Sequence, residues 1–222
     1  MRLNARLAYF LGALNSDGTF YNFFYKKRNR IIYRIRFQVG EKSLPMLNFI
    51  QKIFELEFNR SLTICKDEIN SYGTGIYSIG TSVNSMLVVL DELGIIKGNI
   101  PEHIRSDTHL FCAYLAGLID GDGDIRIKRP KWPQCEIRIT VGKPDDNLIK
   151  LISFHLKCSA RIEKFSCEPT IEGRKIQSTG YRHCFYLSKK NMTNFMEFVF
   201  PFIQLEYKKQ KVMDYLSISN IC

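Results

Sequence analysis

Two acidic residues stand at equivalent positions of a sequence that repeats itself. Residues 8–18 read AYFLGALNSDG and residues 113–123 read AYLAGLIDGDG, so that Asp17 and Asp122 each precede a glycine at an offset of 105 residues. Two carboxylates that come together repel each other unless a divalent cation lies between them. Oxygen ligands favour Mg²⁺ over zinc. The repeat therefore predicts a divalent-metal site, and the alternative is that each Asp-Gly pair simply forms a turn.

The elements that carry these aspartates read as two helices, over residues 3–16 and 108–121. Small residues recur on one face of each helix, where positions i, i+3, i+4 and i+7 lie together. Gly12 and Gly117 occupy the same place on that face. A glycine inside a helix costs about 1 kcal/mol relative to alanine. Its presence at both positions favours close packing of the two helices, which would bring the aspartates to one end of their contact.

A second pair of segments follows the first in the same order. Residues 35–40 read IRFQVG and residues 137–142 read IRITVG, with four of six positions identical. We interpret the chain as a duplication, with one half at 1–105 and the other at 106–222. The break is expected within the stretch 93–107, which contains glycine and proline.

Each half reads α-β-β-α-β-β-α, which predicts an α+β fold of two pseudo-symmetric halves. Each half would contain a four-stranded antiparallel sheet with helices on one face, and the strands alternate apolar and polar residues as half-buried strands do. Arginine and lysine point to the open face. The further elements expected are helices over 43–57, 82–93, 145–157, 189–199 and 204–217, and hairpins that pair 61–66 with 75–80 and 160–165 with 180–187.

The composition restricts the class of partner. The 222 residues include 32 Lys and Arg against 22 Asp and Glu, a formal net charge of +10. A domain this basic usually binds a polyanion, the alternative being solubility alone. Seven cysteines without a CxxC pair argue against a disulfide framework or structural zinc, and for a reducing, intracellular location. No apolar run is long enough to span a membrane, so no membrane partner is expected.

One segment resembles a known family. The sequence LAGLIDGDG, residues 115–123, matches the signature of the LAGLIDADG homing endonucleases at every position but the seventh. The first copy, FLGALNSDG at residues 10–18, retains Gly12, Asp17 and Gly18. Together the two copies are similar to those of a two-motif, single-chain member. The family's repeating unit is the α-β-β-α-β-β-α half, joined to its partner through the motif helices, so the resemblance covers essentially the whole chain.

The resemblance implies a metal site at the end of the two motif helices. Asp17 and Asp122 would bind the divalent ion, and the backbone carbonyls of Ser16 and Gly121 would be additional ligands. Mg²⁺ is the expected cofactor, and Mn²⁺ or Ca²⁺ could substitute for it structurally.

The resemblance also implies roles for two glycines and two lysines. Gly12 and Gly117 would lie at the interface of the motif helices. A catalytic lysine follows the second strand in the family, and Lys42 and Lys143 occupy that place. Such a lysine can stabilise charge on the reacting phosphate or position the attacking water. The alternative is that each is a surface lysine at the start of a helix.

DNA is expected to bind the open face of each sheet. Arginine pairs with guanine, and glutamine with adenine, at the edges of bases in the major groove. The candidate DNA-binding residues are Arg34, Arg36, Gln38, Arg126, Lys128, Arg138, Thr140, Arg161 and Arg182. The basic loops 26–30 and 128–131 are expected to contact phosphates.

The resemblance thus implies a monomeric, metal-dependent endonuclease, similar to an intron-encoded member, whose partner is double-stranded DNA. It would hydrolyse phosphodiesters of both strands across the minor groove of a long, nearly asymmetric site, leaving 3′ overhangs. Two alternatives stay open: a maturase that binds its intron RNA, and a catalytically silent DNA-binding protein on the same scaffold. A mitochondrion, a chloroplast and an archaeal cytoplasm all remain possible locations.

Overall fold

The computed structural model describes residues 3–67, 75–92, 94, 100–128, 133–167, 170–171, 174–175 and 178–219. In these ranges the helices are α1 (Ala5–Ser16), α2 (Leu44–Phe58), α3 (Leu87–Glu92), α4 (Glu102–Ser106), α5 (Thr108–Asp122), α6 (Asp146–Leu156), α7 (Lys189–Phe198) and α8 (Glu206–Ser219). The strands are β1 (Gly18–Tyr25), β2 (Arg30–Gly40), β3 (Cys65–Asp67), β4 (Ile76–Ser82), β5 (Gly123–Lys128), β6 (Gln134–Val141), β7 (Ser159–Cys167), β8 (Thr170–Ile171), β9 (Arg174–Lys175) and β10 (Ser178–Leu187).

The chain divides into two compact units. The first comprises Met1–Gly121 together with Phe202–Leu205, and the second comprises Asp122–Pro201 together with Glu206–Cys222. Helix α5 therefore belongs to the first unit except for its last residue, Asp122. The boundary predicted between residues 105 and 106 stays a prediction.

Two helices form the centre of the first unit. Every residue from Leu7 to Leu14 in α1 is buried, and so is every residue from Phe111 to Asp120 in α5, as expected for helices that are apolar on all sides. The antiparallel sheet has the strand order β1-β2-β4-β3. Its apolar face meets α1 and α2 through Phe10, whose ring packs edge-on against the rings of Phe37 and Phe54, with centroids 5.6 and 5.4 Å away.

The second unit repeats this arrangement with its own sheet, in the order β5-β6-β10-β7. Helix α6 begins where the Asp145 carboxylate accepts the backbone N–H groups of Asn147 and Leu148, each at 3.0 Å, which satisfies two of the free donors of its first turn. Helix α8 packs along β5. The buried side chains of Ile137 and Phe185 contribute to the core beneath this sheet.

The predicted α+β fold with two four-stranded antiparallel sheets is confirmed. Two predicted elements are clearly different: the strand expected over 61–66 is only Cys65–Asp67, and the helix over 82–93 is shorter. Strand β4 continues through Ser82 and a short 3₁₀ turn, Asn84–Met86, precedes α3. The Asn84 side chain accepts the N–H of Tyr33 at 3.0 Å and donates to the carbonyl of Ile31 at 2.8 Å. These two hydrogen bonds hold Asn84 against β2. A helix that began at residue 82 could not make them.

Two further findings concern membrane-spanning helices and the state of the cysteines. Among the helices in the described ranges, none combines the length and apolar character needed to cross a membrane. The cysteines whose side chains are described are free thiols: Cys65, Cys112, Cys135, Cys158 and Cys184.

Candidate functional site

The two glycines singled out by the sequence lie where α1 and α5 cross. A Cβ atom at Gly12 would stand 2.0 Å from the carbonyl oxygen of Tyr114, and one at Gly117 would stand 2.3 Å from the carbonyl oxygen of Tyr9. Both obstacles are backbone atoms of the facing helix, so a rotamer change cannot relieve them. Glycine at these positions allows the two helix backbones to touch.

A buried carboxylate ties three parts of the first unit together. Asp120 is fully buried in α5, and its Oδ2 accepts the hydroxyl of Tyr9 and the N–H of Gln204, both at 2.7 Å. Its Oδ1 accepts the N–H of Leu205 at 3.4 Å. Burial, and then the charge of Asp120, raise the pKa of Tyr9 well above its usual value, so the tyrosine remains a proton donor. Because the N–H groups of Gln204 and Leu205 are bound to Asp120, α8 begins at Glu206. The predicted start was residue 204.

The last turns of α1 and α5 also meet. A Cβ atom at Gly121 would lie 2.0 Å from Ser16 Oγ, and the Ser16 hydroxyl lies 3.5 Å from the carbonyl oxygen of Gly117. Asp17 follows α1 directly, half-buried, and its N–H donates to the carbonyl of Ala13 at 3.1 Å. The first motif aspartate is thus held at the end of α1 by a regular helical hydrogen bond.

The second motif aspartate, Asp122, is the last residue of α5 and is exposed. Its pKa is nevertheless raised, because the surrounding protein displaces part of its hydration, while the charge of Lys208 in α8 acts in the opposite direction. Lys208 itself is buried. A carboxylate that has lost hydration gains more than a fully solvated one from a bound cation. The assignment of Asp17, Asp122, Ser16 and Gly121 as metal ligands stays a prediction.

The two candidate lysines follow the second strand of each sheet. Lys42 lies in the 3₁₀ turn Glu41–Ser43 directly after β2, and Lys143 lies in the loop after β6. Both are exposed, so both side chains are accessible to a bound nucleic acid. Their catalytic role stays a prediction.

The outer face of the first sheet is polar and open. Arg34, Arg36 and Gln38 are exposed, and they alternate with buried apolar residues along β2 as the sequence predicts. Asp67 of β3 joins two of them: its Oδ2 accepts Arg36 Nη2 at 3.0 Å and Gln38 Nε2 at 3.4 Å. Asp67 thus bonds the side-chain ends of two residues that were predicted to contact DNA, and that contact stays a prediction.

Two aromatic residues of β1 share this face, and the sequence analysis did not identify them. Thr19 and Tyr21 are paired with Arg36 and Arg34 in the ladder, and cross-strand partners point to the same side of a sheet. Tyr21 and Phe23 are each 37% exposed, with ring centroids 6.3 Å apart. The sequence of β1 did contain an indication of these exposed rings. Apolar residues occur on both faces of β1, whereas a half-buried strand has them on one face only.

The outer face of the second sheet differs from the expected open polar face. The polar residues of β6 were expected on the open face, but Glu136 and Arg138 are only 0% and 8% exposed. The physical reason is mutual neutralisation: Glu136 Oε1 accepts Lys128 Nζ at 2.6 Å, and Arg138 Nη2 donates to Asp124 Oδ2 at 2.9 Å. Paired charges can lie flat on the sheet and cover each other. Contact of Lys128 and Arg138 with DNA stays a prediction.

Asp124, two residues after the second motif aspartate, receives hydrogen bonds from three cations. Its Oδ2 accepts Arg126 Nε at 2.5 Å as well as Arg138, and its Oδ1 accepts Lys211 Nζ of α8 at 3.1 Å. Partial burial alone would raise the pKa of Asp124, but these hydrogen bonds outweigh it and lower the pKa to about 2. We call these four residues the Asp124 cluster.

The remaining candidates lie on the same sheet. Arg161 Nε donates to Glu163 at 2.9 Å, and the guanidinium of Arg182 lies over the ring of Phe165, 3.9 Å from its centroid. Thr140 is exposed near the end of β6. The arginines are therefore ordered by neighbours on the sheet, and their contact with DNA stays a prediction.

The two basic loops are described to different extents. Lys26–Arg28 form an exposed 3₁₀ turn that ends at Asn29, whose φ of 44° is left-handed. The tip of the other loop, residues 129–131, lies outside the described residues.

Comparisons with known proteins give matches in structure alone. No protein-family model matches the sequence, and no curated protein matches it. A structure of mesophilic variants of the homing endonuclease I-DmoI superposes with a TM-score of 0.57 at 18% identity, covering 88% of this chain and 95% of that chain. I-WcaI bound to its DNA recognition sequence gives 0.58 at 16% identity, covering 94% and 88%. The LAGLIDADG meganuclease I-AabMI bound to uncleaved DNA gives 0.53 at 14% identity, covering 99% and 91%.

Proposed function

We propose that this chain, which has the fold of the LAGLIDADG homing endonucleases, is a site-specific, metal-dependent DNA endonuclease. It would act as an intron-encoded monomer, cut both strands of a long asymmetric site across the minor groove, and leave 3′ overhangs. Support comes from the solved structures of similar fold, which include I-WcaI with its DNA recognition sequence and I-DmoI with DNA and Ca, Mn or Mg. Mg²⁺ is the metal that we propose.

The observation that carries the proposal is the contact between the last turns of α1 and α5. Ser16 and Gly121 lie so close together that a Cβ atom at Gly121 would overlap the serine hydroxyl. Asp17 and Asp122 follow these two residues directly in the chain. Two carboxylates and two backbone carbonyls form a set of hard oxygen donors, which fits Mg²⁺, Mn²⁺ or Ca²⁺. Burial raises the pKa of Asp122, against the opposing charge of Lys208, and a bound divalent ion would stabilise the ionised carboxylate.

A divalent ion bound there would lower the pKa of a water molecule and stabilise negative charge on the leaving 3′ oxygen. The residues of the chain supply the rest. Asp17 and Asp122 would hold the ion, and the backbone contact at Gly12 and Gly117 keeps the helix ends in place. An exposed lysine after the second strand, such as Lys42, would stabilise charge on the phosphate.

Binding would use the outer faces of the two sheets. The first face presents Arg34, Arg36 and Gln38 beside exposed aromatic rings, groups that can bond base edges or pack against DNA. The net charge of +10 would attract the phosphate backbone and make affinity depend strongly on salt.

A cleavage screen tests the proposal directly. A plasmid library with randomised inserts is incubated with the purified chain in Mg²⁺ or in EDTA, and the ends of linear products are sequenced. We expect one discrete cut with 3′ overhangs that requires the metal. No cutting, together with tight binding to an intron RNA, would overturn the proposal in favour of a maturase. Specific DNA binding without cutting would identify a catalytically silent protein.

A further inference from the structure

Arg36 and Arg138 occupy the same place in the two sheets. Arg36 of β2 is the ladder partner of Thr19, and Arg138 of β6 is the ladder partner of Asp124. Thr19 and Asp124 each stand two residues after a motif aspartate. The two sheets therefore have the same register at this point. Because Thr19 in one sheet corresponds to Asp124 in the other, the two arginines can have different roles.

The two arginines bond carboxylates on opposite sides of their own strands. Arg138 Nη2 bonds Asp124 on β5, the strand that follows motif helix α5. Arg36 Nη2 bonds Asp67 at 3.0 Å on β3, which is separated from β2 by β4. The neutral hydroxyl of Thr19 offers Arg36 no ion pair. The partner of Arg36 on β4 is Gly80, which has no side chain, whereas the partner of Arg138 on β10 is Cys184.

The Asp124 cluster contains one buried cation, Arg138. The Arg138 side chain is only 10% exposed, while the side chains of Arg126 and Lys211 are 52% and 43% exposed. One carboxylate thus holds one buried cation and two exposed ones. Within these four residues three positive charges face one negative charge, which leaves a local excess of two. Such fixed, exposed cations bind phosphate oxygens with little loss of side-chain freedom.

The cluster is anchored two residues after the second motif aspartate in the chain. Strand β5 begins at Gly123, immediately after Asp122, and Asp124 is its second residue. Helix α8 packs along this strand and brings Lys211 to Asp124. In the first sheet no described residue makes an equivalent cluster at Thr19, since Arg36 is bound to Asp67.

We propose that the Asp124 cluster binds a DNA phosphate at the cleavage centre of the second half, an inference that rests on the proposed function. Lys211 and Arg126 contact the phosphate oxygens, and Asp124 and Arg138 are positioning residues that hold them. Arg36 and Asp67 belong instead to the base-reading surface of the first sheet. The two halves of the protein therefore bind the DNA by different means. Loss of the cluster slows the cut in one DNA strand more than in the other.

The test follows each strand separately on a supercoiled plasmid that carries the cleavage site. Lys211→Met is the main variant, because the Lys211 side chain is 43% exposed on α8 and its loss leaves the bond between Arg138 and Asp124 intact. Lys209→Met is the matched control on the same helix, where Lys209 Nζ bonds Glu206 at 3.2 Å. We expect Lys211→Met to slow one strand by about tenfold or more, so that nicked plasmid accumulates, while Lys209→Met cuts both strands as the wild type does.

Three further readouts separate a phosphate contact from a structural effect. DNA binding in Ca²⁺ should lose about one unit of salt slope in Lys211→Met. Lys211→Arg should restore strand-balanced cutting, because arginine also bonds Asp124 and phosphate. Asp124→Asn should show the same strand bias as Lys211→Met, since it releases both exposed cations.

The outcomes distinguish this inference from the proposed function. If the wild type neither binds nor cuts DNA, the proposed function fails and the cluster has no phosphate to bind. If the wild type cuts DNA and Lys211→Met cuts both strands at the wild-type rate, the proposed function stands and this inference is refuted. Equal slowing of both strands would also refute it, because it would show a general effect.

Discussion

Alanine at Gly117 should destabilise the protein, although alanine is the better helix former. Helix propensity alone favours the substitution by about 1 kcal/mol. The added Cβ would stand 2.3 Å from Tyr9 O and 2.7 Å from Ala13 N, where ordinary contacts begin at 3.4 Å. The helix backbones must therefore separate by about 1 Å, and overpacking of this kind typically costs 1–3 kcal/mol or more.

The separation also loosens the neighbouring contacts. Residues on both sides of the crossing are buried in α1 and α5, and a gap of this size forfeits a quarter to a half of the dispersion energy of each contact it opens. We therefore expect a net loss of about 2 kcal/mol in the free energy of unfolding. For a chain of this size that loss lowers Tm by about 4–8 °C.

Urea and thermal unfolding followed by circular dichroism measure the effect. Gly40→Ala and Gly142→Ala are matched controls, because a Cβ atom at either position has no atom within 4 Å. Both should unfold within about 0.5 kcal/mol of the wild type. A Gly117→Ala protein as stable as these controls would refute the close contact of the two helix backbones.

Three further predictions concern hydrogen bonding, pH and catalysis. Tyr9→Phe removes a 2.7 Å bond to buried Asp120 and should cost about 1.5–3 kcal/mol in urea unfolding; no loss would show that the bond contributes nothing. Burial lowers the pKa of His183, with Asp145 and Asp146 acting in the opposite direction, so the unfolded chain takes up that proton at a higher pH. Stability should thus fall as pH drops below about 6.5, and urea midpoints at about pH 7.5 and about pH 5.5 should differ less in His183→Asn. Asp122→Asn should abolish cleavage while DNA affinity in Ca²⁺ stays within about threefold of the wild type, with the exposed Asp214→Asn as control; full activity would remove the metal-site assignment.

Repetition and periodicity predicted the parts of the molecule that depend on local sequence. The two glycine-containing helices and the alternation of Arg34, Arg36 and Gln38 follow from spacing alone, because one helix turn or one strand pleat sets which side chains share a face. Close packing of the two helices at Gly12 was predicted from the same pattern, because both copies have a glycine there, but its partner Tyr114 is known only from the structure.

Features that depend on pairing across strands could not be predicted in this way. Glu136 and Arg138 alternate as exposed residues should, yet both are buried because Lys128 and Asp124 lie beside them in the folded sheet. The sequence places Asp124 and Arg138 fourteen residues apart, and only the register of β5 with β6 makes them neighbours. The short α3 has the same origin, because the bonds of Asn84 to β2 form only in the folded unit.

The segment Phe202–Leu205 has a consequence for how such chains can be recombined. It completes the first unit, and the N–H groups of Gln204 and Leu205 bind the carboxylate of Asp120, eighty-odd residues earlier. A fragment that stops at residue 121 would remove these two backbone donors from the buried carboxylate. Chimeras made by exchanging the second half between such proteins would therefore inherit a foreign piece of the first half's core. A graft that replaces the second half should therefore retain the native residues 202–205.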